Sequence, residues 1–228
     1  MTTGLDDLLC FDCLDAPNLK CLADPGTRWA YHNSPYTLLD GVIEGATGKN
    51  LNVYFKEKLG DKIGMTGLFV MSGNNNVFYS TGRNAARFGL FALANGYWDG
   101  NKILNNDTYI HQMKNSSQDI NPSYGYLWWL NGKNKLMLPT LQVMFNRDLN
   151  QYAPKDMYAA LGKNDQKIYV VPSENLVIVR LGDLGTDDDN PVPIIYDEQL
   201  WERLKSIMNL TTSVNENNEA EIKKTIGK

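Results

Sequence analysis

The spacing of hydrophobic and polar positions predicts helices in the first half of the chain and at its end. Apolar residues recur every three to four positions in these segments, as on the buried face of a helix. Gly48 and the glycines at 60 and 64 are stop signals for the first two helices. The predicted helices cover 36–46, 51–59, the segment between Ser80-Thr81 and Asn95-Gly96, the segment from Asn106 to about Met113, and 194–208.

The second half of the chain carries the pattern of a sheet. An aromatic strand is predicted over 124–130, and three further strands over 157–162, 166–172 and 175–181. The last two are joined by a hairpin turn at 172–175 and are apolar on both faces, which is typical of a sheet covered on both sides. Helices followed by an antiparallel sheet and a closing helix indicate an α+β fold.

The ends of the chain have a different composition. Residues 1–30 lack periodicity and are predicted to form an extended loop with a turn at Pro25-Gly26. We expect one folded unit over 1–212 and a disordered polar tail over 213–228.

Composition excludes several function classes. The 228 residues are 43% hydrophobic and 21% charged with a net charge of −4, which suits a globular protein and gives no basic face for nucleic acid. No run approaches the roughly 18 apolar residues of a membrane span. No cofactor motif is present, and no cofactor or metal is expected.

Three cysteines, Cys10, Cys13 and Cys21, lie close together in the first loop. We favour one disulfide, Cys13–Cys21 or Cys10–Cys21, with one free thiol; reduced, inert cysteines are the alternative. The spacing does not favour zinc, because a second paired knuckle is missing.

The segment before the first helix holds the strongest candidate site. Tyr31 and Asn33 alternate on one side of a short extended piece and could line a site at the helix start. A structural role is the alternative: a ring packed under the loop, and an asparagine capping the helix.

This segment resembles a motif of the serine β-lactamase and penicillin-binding-protein superfamily, most closely its class C-related serine hydrolases. From Pro25 the chain reads Pro-Gly-Thr-Arg-Trp-x-Tyr-x-Asn-x-x-Tyr-x-Leu-Leu, and Ile-Glu-x-x-x-Gly follows. The resemblance implies the β-lactamase/transpeptidase-like fold, an antiparallel sheet flanked by helices plus a helical region. It continues in four further segments in the family order, at 1–5, 80–89, 124–129 and 160–172.

The resemblance also implies a mechanism in which a serine attacks an ester or amide carbonyl and forms an acyl-serine. Tyr31 would manage the proton of that serine together with a lysine, and Asn33 would bind the substrate amide. Lys163, after Gly162, would donate its backbone N–H to the oxyanion. Substrate-lining positions are expected at Trp29, Asn75, Asn76, Tyr126 and Leu161, with core packing as the alternative for the aromatic residues and an ordinary turn as the alternative for the asparagines.

Two departures from the family pattern change the expected function. Ala160-Leu161-Gly162 offers no cation or hydroxyl before the glycine, so recognition of a substrate carboxylate is not expected. No serine has a lysine three residues later, and the family places its Ser-x-x-Lys helix before the loop at which this chain begins. We therefore expect a fold incomplete at the N-terminus, without acylation by this chain alone.

These features lead to three hypotheses about function. The first is a fragment of a hydrolase for a small ester, amide or peptide-like substrate. The second is a non-catalytic binding or interaction module. The third is a complementing N-terminal segment from a second polypeptide. The cysteine loop and the family's common export indicate a periplasmic or extracellular protein.

Overall fold

A computed structural model describes residues 1–8, 11–185 and 194–208. Its helices fall where the 3.6-residue period predicts them, and both glycines that end the first helices adopt left-handed backbone, Gly48 with φ 65° and Gly64 with φ 64°. A π-helical segment over Lys56–Gly60 carries the second predicted helix onward. The α-helices are α1 (Ser34–Thr37), α2 (Leu39–Thr47), α3 (Leu51–Phe55), α4 (Asp61–Ile63), α5 (Gly82–Leu93), α6 (Asp107–Met113) and α7 (Ile195–Met208).

The strands form one four-stranded antiparallel sheet and three short hairpins. The large sheet has the order β10-β9-β8-β5, and the hairpins pair β1 with β2, β3 with β4, and β6 with β7. The strands are β1 (Leu68–Ser72), β2 (Asn75–Tyr79), β3 (Tyr97–Trp98), β4 (Asn101–Lys102), β5 (Trp129–Leu130), β6 (Leu136–Met137), β7 (Met144–Phe145), β8 (Tyr158–Leu161), β9 (Lys167–Val171) and β10 (Leu176–Arg180).

Helices cover both faces of the large sheet, as its two-faced apolar strands predict. On one face, Phe88 and Ala92 of α5 pack with Val170 of β9. On the other, Trp201 of α7 meets Tyr169 edge-on, with ring centroids 5.5 Å apart. The α+β prediction is confirmed.

The aromatic strand predicted over 124–130 is wrong for most of its length. Only Trp129–Leu130 is a strand, and Tyr124 pairs back with Trp129 through an isolated bridge. Leu127 between them has a positive φ of 62°, and Gly125 donates a hydrogen bond to the Trp128 carbonyl at 2.8 Å. This tight loop breaks the alternation on which the prediction relied.

The β1–β2 hairpin packs through one face only. Phe69 and Phe78 contact Phe55 of α3, with ring centroids 5.9 and 4.9 Å away. The hairpin turn precedes Asn75, the first residue of β2, and so directs the start of this strand toward the first loop.

The cysteine loop departs from the favoured prediction. Cys21 is free and exposed, whereas Cys13 is disulfide-bonded, so both pairings that use Cys21 are wrong. Cys21 instead lies in a bridge to Leu5, where its backbone is held and its side chain points to solvent. Cys10 and the predicted tail over 213–228 lie outside the described residues.

Two searches of the described residues gave negative results. No helix among them is both long and apolar enough to cross a membrane. No group of three or more His, Cys, Asp or Glu side chains within the same ranges could hold a metal ion.

Candidate active site

The extended segment before α1 lies against an aromatic cluster of the core. The ring of Tyr31 stacks on Trp129 of β5 at 5.7 Å between centroids and meets Tyr124 edge-on at 6.0 Å. Trp29 is 1% exposed and contacts the same two rings. Since such a side chain cannot reach a ligand, the structure favours core packing for Trp29 over the predicted substrate contact.

Burial and the nearby Tyr36 raise the pKa of Tyr31 to about 12. A tyrosine that takes a proton from serine near neutral pH needs the opposite shift, which a neighbouring ammonium group would supply. No cation among the described residues lowers the pKa of this hydroxyl. The expected lowered pKa is therefore not a property of these residues by themselves.

Asn33 is held by two polar contacts from distant parts of the chain. Its Nδ2 donates to Asn75 Oδ1 at 2.7 Å, and Asn75 Nδ2 donates to Asp12 Oδ2 at 3.1 Å. The backbone N–H of Asn33 donates to the Phe11 carbonyl at 2.9 Å. The structure thus brings together Asn33 and Asn75, two predicted site residues 42 positions apart, and adds Asp12, which sequence reasoning missed.

Asn76 makes a separate contact from the same hairpin. Its Nδ2 donates to Asp40 Oδ2 of α2 at 2.5 Å. Of the two predicted asparagines, Asn75 faces the candidate site and Asn76 anchors the hairpin to α2.

The predicted oxyanion donor lies in a tight turn after β8. Gly162 N–H donates to the Gln166 carbonyl at 2.7 Å, and Lys163 begins a 3₁₀ turn over Lys163–Asp165. The Lys163 N–H donates to no acceptor in the described ranges, so it is available to a ligand. The Leu161 side chain is 6% exposed and packs in the core, which leaves only its backbone to face a ligand.

The strand register relates this turn to Tyr31. Trp129, under the Tyr31 ring, lies opposite Ala159 of β8, and Leu161 is two residues further along. One strand spacing and two residue steps place the start of the turn on the order of 10 Å from Trp129. Tyr31 and Gly162 therefore flank the same end of the sheet.

A buried charge cluster lies behind the turn. Lys167 Nζ is 2.9 Å from Asp197 Oδ2 and 3.2 Å from Asp165 Oδ1, and Tyr169 donates its hydroxyl proton to Asp197. Burial raises the pKa of Asp197, and the Lys167 ammonium opposes that rise. Since Asp165 belongs to the turn, the cluster fixes the turn that carries Lys163.

Tyr126 makes contacts outside this arrangement. It is 41% exposed, and its ring stacks on Tyr109 of α6 at 5.9 Å. Trp128, for which core packing is favoured, is buried between Phe88 and Tyr158.

Comparison with known proteins supports the fold and the family. The Beta-lactamase family model matches residues 14–190. An uncharacterized protein of Alkalihalophilus pseudofirmus is 26% identical over 184 residues, covering 68% of this chain and 52% of its own length. A putative 6-aminohexanoate-dimer hydrolase from Bacillus anthracis superposes with a TM-score of 0.62 at 22% identity, covering 86% of this chain and 48% of its own. A putative beta-lactamase from Bacteroides dorei gives 0.64 at 15% identity over 92% and 70%.

The matched region is long enough to assign the chain. It includes Tyr31, Asn33, Asn75 and the turn at Gly162, and the solved structures share the α+β arrangement. The chain spans about half the length of the curated relative and of the Bacillus anthracis structure. It is a member of the Beta-lactamase family, a family of serine hydrolases.

Proposed function

We propose that this chain provides the proton-transfer and oxyanion groups of an acyl-serine hydrolase for a small ester or amide. The observation that carries the proposal is that Tyr31 and the turn at Gly162 flank one end of the large sheet, with Asn33 held beside them by Asn75. The serine nucleophile and its lysine would come from a Ser-x-x-Lys segment that residues 1–228 do not contain.

The proposed chemistry assigns one task to each group. The serine oxygen adds to the substrate carbonyl while its proton passes to the Tyr31–lysine pair, and the Lys163 N–H stabilises the oxyanion. Collapse breaks the bond to the alcohol or amine, which leaves with that proton. Water then adds to the acyl-serine and loses its proton to the same pair. The acid is released, and the serine hydroxyl is regenerated.

The pKa of Tyr31 supports an external source for the cation. Near pH 7 a phenol with a pKa of about 12 is protonated and cannot act as a base. A lysine ammonium within about 4–6 Å would lower this pKa. The Ser-x-x-Lys segment would therefore bring both the nucleophile and the charge that activates Tyr31.

Labelling with a fluorophosphonate probe tests the proposal. The chain of residues 1–228 alone should not be acylated, and stoichiometric labelling would contradict the proposed source of the nucleophile. The reading frame before Met1 should encode Ser-x-x-Lys within several tens of residues. Co-expression of that segment should give labelling of its serine.

Two matched variants then test the role of Tyr31 in the complemented protein. Tyr31→Phe should slow labelling by roughly 10²- to 10⁴-fold, the usual contribution of a general base. Tyr36→Phe removes a neighbouring phenol that is not assigned to proton transfer, so it should change the rate little. Equal effects would exclude Tyr31 from proton transfer.

A non-catalytic binding module is the second candidate. It is favoured by the raised pKa of Tyr31 and by the absence of a cation or hydroxyl in Ala160-Leu161-Gly162. A start codon at Met1 with no Ser-x-x-Lys encoded before it, together with no labelling, would support this candidate over the hydrolase.

We also propose a periplasmic or extracellular location. The disulfide at Cys13 supports it, because such bonds persist in oxidising compartments and are rare in reducing ones.

A further inference from the structure

The hydrogen-bond chain from Asp12 through Asn75 to Asn33 has a direction that chemistry fixes. An ionised carboxylate only accepts hydrogen bonds, so Asn75 must turn its NH₂ group toward Asp12, 3.1 Å away. Its carbonyl oxygen then faces Asn33, which must present its own NH₂ group at 2.7 Å. Asp12 thereby sets the orientation of two amides, although it touches only one of them.

This direction determines what Asn33 offers to a ligand. One proton of its Nδ2 is used by Asn75, and no group in the described ranges donates to its Oδ1. The side chain is half-buried, so its amide plane is fixed while one edge is accessible. A carbonyl oxygen held in this way accepts a hydrogen bond from an N–H group, and an ester has none to give.

The backbone supports the same arrangement. The Asn33 N–H donates to the Phe11 carbonyl at 2.9 Å, and Asp12 is the next residue. The Phe11–Asp12 segment therefore holds Asn33 both by its main chain and, through Asn75, by its side chain.

We propose that Asp12 is a positioning residue that determines specificity. It orients Asn33 through Asn75, so that the site presents a hydrogen-bond acceptor and prefers a substrate with an amide N–H over the matching ester. This inference rests on the proposed function for the place of Asn33 in the site, and it narrows the ester or amide substrate to an amide.

The hairpin contains a matched control for Asp12. Asn76 donates to Asp40 at 2.5 Å, which is also an asparagine–aspartate contact, but it does not lead to Asn33. Asp12→Asn gives Asn75 a partner that can donate or accept, so the two amides are free to turn over. Asp40→Asn makes the same chemical change one residue away along β2 and should leave Asn33 as it is.

NMR of the isotope-labelled chain tests the proposal without any catalysis. The carboxamide signals of Asn33 and Asn75 are assigned by their loss in Asn33→Ser and Asn75→Ser. Asp12→Asn should shift both sets of signals and speed their proton exchange, and Asp40→Asn should change neither. Unchanged Asn33 signals in Asp12→Asn, or equal changes in Asp40→Asn, would overturn the relay.

Two small probes of similar size test the preference itself. N-methylacetamide should shift the Asn33 carboxamide signals at concentrations about fivefold lower than methyl acetate, the ratio expected for one hydrogen bond of about 1 kcal/mol. Asp12→Asn should reduce this ratio toward one, and Asp40→Asn should keep it.

The wild-type comparison needs no variant, so it remains decisive if Asp12→Asn does not fold. Equal shifts by the two probes in the wild-type chain would overturn the proposed preference. Failure of the labelling experiment would instead contradict the hydrolase proposal while leaving the NMR results intact. The two failures are therefore distinguishable.

Discussion

Two regions of the molecule bury polar groups in different ways. The sheet cluster (Asp165, Lys167, Tyr169 and Asp197) contains three charged groups, and each has an oppositely charged partner within 3.2 Å. The site segment (residues 28–37) buries neutral polar atoms that have no hydrogen-bond partner among the described residues, namely Trp29 Nε1, His32 Nδ1 and Ser34 Oγ.

The difference follows from the energy of burial. An unpaired charge in the interior destabilises a protein far more than an unpaired neutral group, for which the loss is about 1–3 kcal/mol. The sheet cluster must therefore be complete to exist at all. The site segment can keep unsatisfied atoms, and such atoms in native structures often mark sites that meet water or a ligand.

The largest effect is expected from Lys167→Met, which breaks the sheet cluster. Asp165 and Asp197 would remain buried without a counter-charge, so the free energy of unfolding should fall by about 3–5 kcal/mol. Urea denaturation measures this change. Lys102→Met is the matched control, because Lys102 pairs with the exposed Asp107 and should lose less than about 1 kcal/mol. Similar losses in both variants would show that burial does not distinguish the pairs.

A smaller effect is expected where α5 packs on the sheet. A Cβ atom at Gly89 would lie 2.5 Å from Val177 Cγ1 and 3.1 Å from Ile168 Cγ2. Gly89→Ala should therefore destabilise the fold by about 1–3 kcal/mol through overpacking. Val177→Ala in the same chain should recover part of the loss.

Gly45→Ala provides the control for this substitution. Gly45 lies inside α2, and a Cβ atom added to it would meet no atom within 4 Å, so helix propensity alone should stabilise the protein by up to about 1 kcal/mol. Thermal unfolding of both variants shows whether their effects have opposite signs. A stabilising Gly89→Ala would contradict the close packing of α5 on β9 and β10.

The sequence predicts the sheet region better than the site segment, for a physical reason. Strands β8 to β10 and helix α5 follow local periodicities, which depend on one buried face per element. Leu127 breaks such a pattern with a positive φ that its residue type does not announce. The pattern over 124–128 therefore predicts a strand where the chain forms a loop.

The candidate site can be predicted only in part. Tyr31, Asn33 and Gly162 are found through a family resemblance, which also places the loop that holds Asn75 at the same site. Asp12 is missed, because it is 63 residues from Asn75 and lies in a loop with no periodic pattern. A contact of this kind depends on the tertiary fold and leaves no local signal.

The buried His32 makes the site segment sensitive to pH. Burial, together with Arg28 and the N-terminal amine, lowers the pKa of His32 from 6.5, while Asp7 and Asp6 oppose the shift. Between the lowered pKa and 6.5, the unfolded chain therefore binds a proton that the folded chain does not bind. The free energy of unfolding should be constant above pH 6.5 and fall as the pH drops toward the lowered pKa.

Denaturation between pH 5.5 and 7.5 with His32→Gln checks this expectation. The variant should lose the decline below pH 6.5, because glutamine does not titrate in this range. His111→Gln is the control, since His111 is exposed and should leave the decline in place. A decline that persists in His32→Gln would assign the pH dependence to other groups.

The smallest effect is expected from Ser34→Ala, and it tests the comparison most directly. The Ser34 hydroxyl is buried without a partner in the described part of the chain, so its removal takes away an unsatisfied group and should change the free energy of unfolding by no more than about 0.5 kcal/mol or stabilise the protein. Ser123 is equally buried but donates to the Lys135 carbonyl at 2.8 Å. Ser123→Ala should therefore destabilise by about 1–3 kcal/mol, since it leaves that carbonyl unpaired. If Ser34→Ala were as destabilising as Ser123→Ala, the Ser34 hydroxyl would have a partner after all, such as a bound water, and the site segment would be as fully satisfied as the sheet cluster.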